Sequence, residues 1–190
     1  MPEEPTQGIL IIEFGGSQTV SELARFLDFL GRDYSSFAHF DSLMSEIAEE
    51  VKKDDGPRWL KAKMIQERIE HDYDHSPLFI RALHIESPGW LEVLGSLNPL
   101  KWIHDYTKLI LDHTSAAPLR KSERRKRELE TDMLALKVLK QEVQLMKSVG
   151  ISQDEIRAIV QMTMLRRFHD INRTFADARV RRLRLRTSKD

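Results

Sequence analysis

Residues 8–14 are Gly-Ile-Leu-Ile-Ile-Glu-Phe, an apolar run rich in β-branched side chains, and two glycines, Gly15 and Gly16, end it. An apolar run of this length that ends at turn residues predicts a buried β-strand. Thr19 and Glu22 then fit a capping box, in which a threonine hydroxyl and a glutamate carboxylate accept hydrogen bonds from each other's free backbone N–H groups. The beginning of the chain therefore predicts a strand, a turn and a helix.

Apolar residues at steps of three and four predict further helices beyond this point. The first helix begins at the capping box and ends at Gly31, because glycine is a common helix stop. The second runs over residues 34–52. The third begins at about residue 59 and ends before Pro77, because the residue before a proline is driven away from helical ψ.

A second strand is predicted over Leu78–Glu86, followed by a turn at Ser87, Pro88 and Gly89. We expect a type II turn, because proline presets the first φ of that turn and glycine supplies the positive φ of its next position. Residues 90–94 fit either a third strand, which would complete a hairpin, or a helical turn, since the run is too short to distinguish the two.

Asn98 and Pro99 mark the start of the next helix. Asparagine is a preferred N-cap residue, and proline is favoured at the first helical position because it has no N–H group to leave unpaired. The helix continues to about His113, and residues 114–118 then contain small residues and a proline. We therefore place a domain boundary at residues 114–118.

Two more helical patterns meet at Gly150, where we expect a left-handed helix end and then a second capping box at Ser152 and Glu155. The first of these helices is apolar on two sides, which is typical of a helix that packs between neighbours. We predict that both helices bury surplus apolar surface against a second copy of the chain or another protein. The residues expected to mediate self-association are Leu129, Leu136, Leu139, Val143, Met146, Ile156, Val160, Phe168, Ile171 and Phe175.

The formal net charge is zero, but it is −9 over residues 1–115 and +9 over residues 116–190. Three explanations stay open. The basic part folds onto the acidic part of the same chain, copies associate head to tail, or the basic part binds nucleic acid or an anionic membrane. The residues expected to contact an anion are Arg179, Arg181, Arg182, Arg184 and Arg186.

The arginine-rich end of the chain alternates with leucine. If it forms a strand, Leu183 and Leu185 face one way and Arg182, Arg184 and Arg186 face the other, which suits an edge strand with a solvated arginine side. If it has no fixed structure, it is a charged end. Because no aromatic residue lies among the arginines, the stretch lacks the stacking residues typical of nucleic-acid sites.

The residue patterns of the chain do not favour catalysis, and the best candidate for a metal site is the pair His71 and His75. The chain has no cysteine, which excludes disulfides, thiolate metal sites and cysteine nucleophiles. His71 and His75 would share a helix face, but the glutamate of the zinc-protease motif is missing and Pro77 indicates a helix end. No phosphate loop, dinucleotide fingerprint, hydrolase elbow or kinase signature occurs. We therefore expect no catalytic residues, no metal and no cofactor.

Residues 83–101, with Ser-Pro-Gly at 87–89 and Leu-Asn-Pro-Leu at 97–100, resemble a segment of uncharacterised bacterial proteins that have a similar order of elements. That group is similar to the TRADD-N-like α+β adaptor domains associated with bacterial conflict and immunity systems. The resemblance implies a small sheet backed by helices and a role in protein–protein contacts, and it supplies no catalytic residues. It does not cover the last 40 residues.

The sequence therefore predicts a helix-dominated α+β fold, in which a small antiparallel sheet packs on helices and two long C-terminal helices follow. We expect an α+β domain over residues 1–115, a helical interaction region over 119–178 and a basic tail over 179–190. The predicted function is a non-enzymatic, cytoplasmic adaptor or regulatory subunit that forms homo-oligomers or binds another protein, in bacterial defence or signalling. The alternative is a nucleic-acid-binding accessory protein that uses the basic tail. A membrane partner is not expected, because no apolar run approaches the ~20 residues that span a bilayer.

Overall fold

The structure is a computed structural model, which describes residues 6–52, 77–114, 132–148 and 150–187. The predicted α+β class is confirmed, because helices pack on a small antiparallel sheet. The strands of this sheet, in chain order, are β1 (Gln7–Phe14), β2 (Phe79–His84), β3 (Trp90–Ser96) and β4 (Val180–Thr187).

Helices make up most of the remaining described chain. A π-helical turn over Gln161–Leu165 joins the last two helices without a break, and residues 132–138 are also helical. The third predicted helix, after residue 59, lies outside the described residues. The helices are α1 (Val20–Lys52), α2 (Leu97–Thr114), α3 (Lys140–Ser148), α4 (Gln153–Val160) and α5 (Arg166–Asp177).

The strand order in the sheet is β2-β3-β1-β4, and every neighbouring pair is antiparallel. Helix α1 lies between β1 and β2 in the chain, and α2 to α5 lie between β3 and β4. This order of elements is the split βαβ, or ferredoxin-like, arrangement, with extra helices before the last strand. The strand alternative for residues 90–94 is thus correct, and β2 and β3 form a hairpin. Among the strands that the structure describes, β2 and β4 form the two edges of the sheet.

Helix α1 is one continuous helix where two were predicted. Its start has the predicted capping box, since the Glu22 N–H donates to Thr19 Oγ1 at 3.2 Å and the Thr19 N–H donates to Glu22 Oε2 at 2.8 Å. The predicted stop at Gly31 is wrong. Leu30 and Tyr34 on either side of it are buried in the same core, and their packing outweighs the roughly 1 kcal/mol that glycine costs in a helix.

The turn between β2 and β3 lies where it was predicted but has another geometry. The Ser87–Pro88 peptide is cis, and Gly89 does not have a positive φ. The predicted type II turn requires a positive φ at the glycine, so that prediction is wrong. Glycine is needed here for space, because a Cβ atom on Gly89 would lie 3.0 Å from the carbonyl oxygen of His84.

Helix α2 begins at Leu97, one residue before the predicted N-cap. Asn98 therefore lies inside the first turn, and its Nδ2 donates to Asp41 Oδ1 of α1 at 3.1 Å. Pro99 also lies in this turn, where its missing N–H costs no intrahelical hydrogen bond. The helix therefore begins two residues before the predicted first helical residue, Pro99, and the predicted role of Asn98 as N-cap is wrong.

One continuous cluster of buried side chains joins the sheet, α1, α2 and the C-terminal helices. Phe168 of α5 lies between Phe37 of α1 and Tyr106 of α2, with ring centroids 4.9 Å and 4.4 Å away. Nearer the sheet, the rings of Phe26 of α1 and Phe175 of α5 are 5.4 Å apart. The regions predicted as an N-terminal domain and a C-terminal helical region therefore share one core.

The helix end at Gly150 has the predicted form. Gly150 has a φ of 87°, and the Ile151 N–H donates to the Met146 carbonyl at 3.1 Å, which satisfies a carbonyl in the last turn of α3. Ser152 and Glu155 then form the second capping box and begin α4. Both local predictions are confirmed.

The end of the chain forms an edge strand over residues 180–187. In the register of β4 with β1, Leu183 lies opposite Ile12 and Leu185 lies opposite Leu10. These two leucines are half-buried against the core. The strand alternative for the basic tail is therefore confirmed over these residues.

Candidate functional site

The residues predicted to mediate self-association lie mostly inside the core of a single chain. Because α5 packs against α1 and α2, and α4 packs against α3 and the π-helical turn, the expectation that one copy leaves this stripe uncovered is wrong for seven of them. Val143 is half-buried, Leu136 is exposed, and Leu129 lies outside the described residues. The seven, each at most 3% exposed, are Leu139, Met146, Ile156, Val160, Phe168, Ile171 and Phe175.

The two faces of the sheet differ in burial. Alternate residues of a strand point to opposite faces, and the core face carries Leu10, Ile12, Leu91 and Val93, all fully buried. The residues between them point the other way, to what we call the outer face. The outer face is buried along β1 at Ile9 and Ile11, partly exposed along β3 and exposed along β4 at its arginines.

On the outer face, the strand register aligns side chains into three rows that cross the sheet from β2 to β4. Each row ends in an arginine of β4, and the first and third rows begin with an aromatic residue of β2. The rows are His84-Trp90-Glu13-Arg182, Ala82-Glu92-Ile11-Arg184 and Phe79-Leu94-Ile9-Arg186.

Three of the five arginines predicted to contact an anion lie side by side on the outer face: Arg182, Arg184 and Arg186. Arg179 lies in the turn before β4 with a φ of 53°. Arg181 lies where the pairing of β4 with β1 shifts register. All five are exposed. Only Arg182, Arg184 and Arg186 lie in one line along β4, and we call this line the arginine row.

The charges of this row are only partly neutralised. Arg184 donates to Glu13 Oε1. Arg182 and Arg186 form no ion pair with any residue that the structure describes. Among the described residues, the row therefore presents two guanidinium groups without an ion pair, one on either side of a paired one.

Aromatic rings lie on the same face, two and three strands from the arginines. The rings of Trp90 and His84 are parallel to within 10°, with centroids 6.0 Å apart. Phe79 begins the third row and is 54% exposed. These residues were missed because they lie about 90 positions from the arginines in the chain. The available signal was the strand alternative for residues 90–94, which places Trp90 and Leu94 on one face.

Strand β2 exposes aliphatic side chains on the core side of the sheet. Ile80 and Leu83 pair with the fully buried Val93 and Leu91, yet they are 53% and 39% exposed. Ile85, just beyond the strand, is 51% exposed. We call Ile80, Leu83 and Ile85 the β2 patch. The sequence predicted this strand, but its exposure follows from its position at the sheet edge.

A groove of about 510 Å³ between α2 and residues 137–142 carries four lysines and two acids. Its acidic residues are Asp105, which binds His104 Nδ1 at 2.8 Å, and Glu142, whose pKa burial raises. The carboxylates offset part of the cationic charge. The lysines are Lys101, Lys108, Lys137 and Lys140.

Asp33 of α1 is a buried carboxylate, only 2% exposed. Its Oδ1 lies 3.6 Å from Arg167 Nη1 of α5, and its Oδ2 has no hydrogen-bond partner in the described part of the chain. Burial raises the pKa of Asp33 to about 7, with Asp170 adding to the rise and Arg167 opposing it. Because this carboxyl does not open onto solvent, we regard it as part of the α1–α5 interface and not as a catalytic group.

Within residues 6–52, 77–114, 132–148 and 150–187, no three His, Asp or Glu side chains are grouped so that they could hold a metal ion. His71 and His75 lie outside these ranges. None of the helices in the described part of the chain is both long and apolar enough to cross a membrane.

The surfaces that remain as candidates are the outer face of the sheet and the β2 patch. Neither is organised like an enzyme active site, because neither combines a cleft with a nucleophile and a base. No protein-family model matches the chain, and no curated protein or solved structure matches it.

Proposed function

We propose that this chain is a non-enzymatic interaction protein, an adaptor or regulatory subunit, that self-associates through the β2 patch. The observation that carries the proposal is the exposure of three large aliphatic side chains, Ile80, Leu83 and Ile85, at an edge strand. Soluble proteins usually protect such edges with charge or cover them. Apolar surface that stays exposed at an edge is typical of an interaction site.

The proposed occupant of the β2 patch is a second copy of the chain. Two copies related by a two-fold axis present the same patch to each other, and this is the commonest symmetry of homo-oligomers. Apolar surface is complementary to itself without any charged partner. The β2 patch takes the place of the C-terminal stripe as the contact surface, because most of that stripe is buried within one copy.

Side-chain packing is the proposed mode of contact. The pairing of β2 with β3 shifts register around Arg81, and such irregularities at a sheet edge hinder the addition of another strand. The two copies are therefore expected to bury their aliphatic side chains against each other rather than to form one continuous sheet.

The test is the oligomer mass of an Ile80→Glu, Leu83→Glu double variant, measured by sedimentation from low to high micromolar concentration. We expect the wild type to dimerise, and the variant to dissociate at least about tenfold more readily, because burying one aliphatic side chain contributes about 1.5–3 kcal/mol and about 1.4 kcal/mol corresponds to tenfold in affinity. Both side chains are exposed, so the fold should be kept.

The matched control is Val20→Glu with Met133→Glu, which adds the same charge at two exposed apolar residues away from β2. The control should dimerise like the wild type. A wild-type chain that stays monomeric at high micromolar concentration, or a control that dissociates as much as the β2 variant, would contradict the proposal.

The proposed setting is the cytoplasm, with which a chain free of cysteine is compatible. The TRADD-N-like resemblance further suggests a bacterial defence or signalling system.

We also propose that the C-terminal region consists of two long helices that meet at Gly150. Supporting this, residues 132–148 are mostly helical and residues 153–177 are helical throughout.

A further inference from the structure

We propose that the outer face of the sheet binds single-stranded nucleic acid, with the phosphates along Arg182, Arg184 and Arg186 and the bases over the aromatic residues of β2 and β3. This site is on the opposite side of the sheet from the β2 patch. The inference therefore does not depend on self-association.

The arginine row supplies the phosphate contacts. Its members alternate along β4, so consecutive ones are roughly 7 Å apart and point to the same face. Arg182 and Arg186 are exposed and form no ion pair with the described residues. Guanidinium groups bind phosphate oxygens with two parallel hydrogen bonds, which makes arginine well suited to a line of phosphates.

The aromatic side supplies the base contacts. Trp90 of β3 lies two strands from Arg182, which is roughly 10 Å across the sheet. If an arginine side chain extends over β1, it can contact the phosphates of a nucleic acid whose bases lie on β3. Phe79, at the far end of the third row, is more than half exposed. Bases stack on aromatic rings without sequence preference, so these rings favour unpaired strands.

The acidic residues of the outer face fit this arrangement. Glu13 and Glu92 lie on the two central strands, between the arginine row and the outermost aromatic residues. Glu13 is paired with Arg184, but phosphates beside Glu92 would be repelled, whereas uncharged bases would not. The charge pattern therefore keeps the backbone at the β4 side and the bases over β3 and β2, and a duplex, with phosphates on both sides, fits poorly.

The experiment measures binding of labelled 12-nucleotide oligo-dT and oligo-U to the full chain by fluorescence anisotropy, from about 50 to 200 mM salt. Each phosphate that is neutralised contributes about −0.7 to the slope of log affinity against log salt. Arg182 and Arg186, which form no ion pair with the described residues, therefore predict a slope of about −1.4, which is roughly a sevenfold loss of affinity over that range.

The charge variant is Arg182→Ala with Arg186→Ala. It should make the slope shallower by about 1.4, since two phosphate contacts are lost. The matched control is Lys147→Ala with Arg157→Ala, which removes the same charge from exposed helix positions and should leave affinity and slope unchanged.

The stacking variants are Phe79→Ala and Trp90→Ala. Each should weaken binding roughly tenfold without changing the salt slope, because stacking carries no counterion release. Phe79→Ala alone decides this arm if Trp90→Ala fails to fold, since Phe79 is exposed. The control for loss of apolar surface is Met133→Ala, which should bind like the wild type.

Binding of either oligo-dT or oligo-U with these variant effects supports the proposal. The oligonucleotide that binds more tightly indicates whether DNA or RNA is the natural ligand. Binding of duplex DNA or of polyglutamate as tightly as the single strand would overturn it, because charge alone would then account for the affinity. No binding at 50 mM salt, or equal loss in the Lys147→Ala, Arg157→Ala control, would overturn it as well.

Discussion

Gly95 of β3 has no room for a side chain. A Cβ atom there would lie 2.6 Å from the hydroxyl oxygen of Tyr34. Tyr34 is only 1% exposed, and its hydroxyl accepts a hydrogen bond from the Ser96 N–H at 2.6 Å. This contact holds α1 against the sheet at a distance that only glycine permits.

We therefore expect Gly95→Ala to lower the free energy of unfolding by about 1–3 kcal/mol, the usual cost of overpacking a core. Chemical denaturation would measure it. Gly16→Ala is the matched control, since its Cβ would meet nothing nearer than Arg179 Nη1 at 3.8 Å. A Gly95→Ala protein as stable as the wild type would show that the tyrosine shifts freely.

The buried Asp33 makes stability depend on pH. Burial raises its pKa in the folded protein from 3.8 to about 7, so between these values the folded state holds a proton that the unfolded state has released. The contribution of this proton to the free energy of unfolding is therefore complete below about pH 3.8 and is lost as the pH rises to about 7.

Asp33→Asn removes this dependence, because an amide stays neutral. Relative to the wild type, the variant should gain stability progressively from about pH 4 to pH 7 and stay constant above, by at most about 4 kcal/mol. Denaturation at several pH values measures the difference, in which other titrating groups cancel. A variant that is less stable than the wild type at pH 8 would mean that the ion pair with Arg167 outweighs burial.

At the scale of the element, α1 contains a glycine that it does not need. A Cβ atom on Gly31 would have nothing within 4 Å. Gly31→Ala should therefore raise the free energy of unfolding by about 0.5–1 kcal/mol, mainly by restricting the unfolded chain. Thermal and chemical denaturation would both show it. A loss of stability would indicate that Gly31 is held in a strained conformation within α1.

Elements that depend on neighbouring residues were predicted well from sequence. The capping boxes at Thr19 and Ser152 and the left-handed helix end at Gly150 are confirmed, because their hydrogen bonds join residues at most five positions apart. The predictions at Gly31 and Gly89 were wrong, because the core around α1 and the crowding at the hairpin turn decide them. The core around α1 is built by residues distant in the chain, whereas the carbonyl groups that crowd Gly89 belong to residues 84–86, only three to five positions away.

At the scale of the whole molecule, the α+β fold class was predictable from the sequence, but the candidate binding surfaces were not. The strand alternation of β4 indicated an arginine side. The strand order decides which residues share a face with those arginines. It places β1 next to β4, and β3 one strand further away. The burial of the C-terminal stripe depends likewise on helices returning to α1. A periodic pattern shows that a face is apolar, but not what covers it.

The pairing of β1 with β4 also affects how the protein is made. Gly8 lies opposite Thr187, so a central strand emerges from the ribosome roughly 10–30 seconds before its neighbour at ordinary rates of synthesis. During that interval one side of β1 has unsatisfied backbone groups and a highly apolar sequence. The nascent chain must therefore remain protected from premature association, by chaperones or by its own helices, until its last strand arrives.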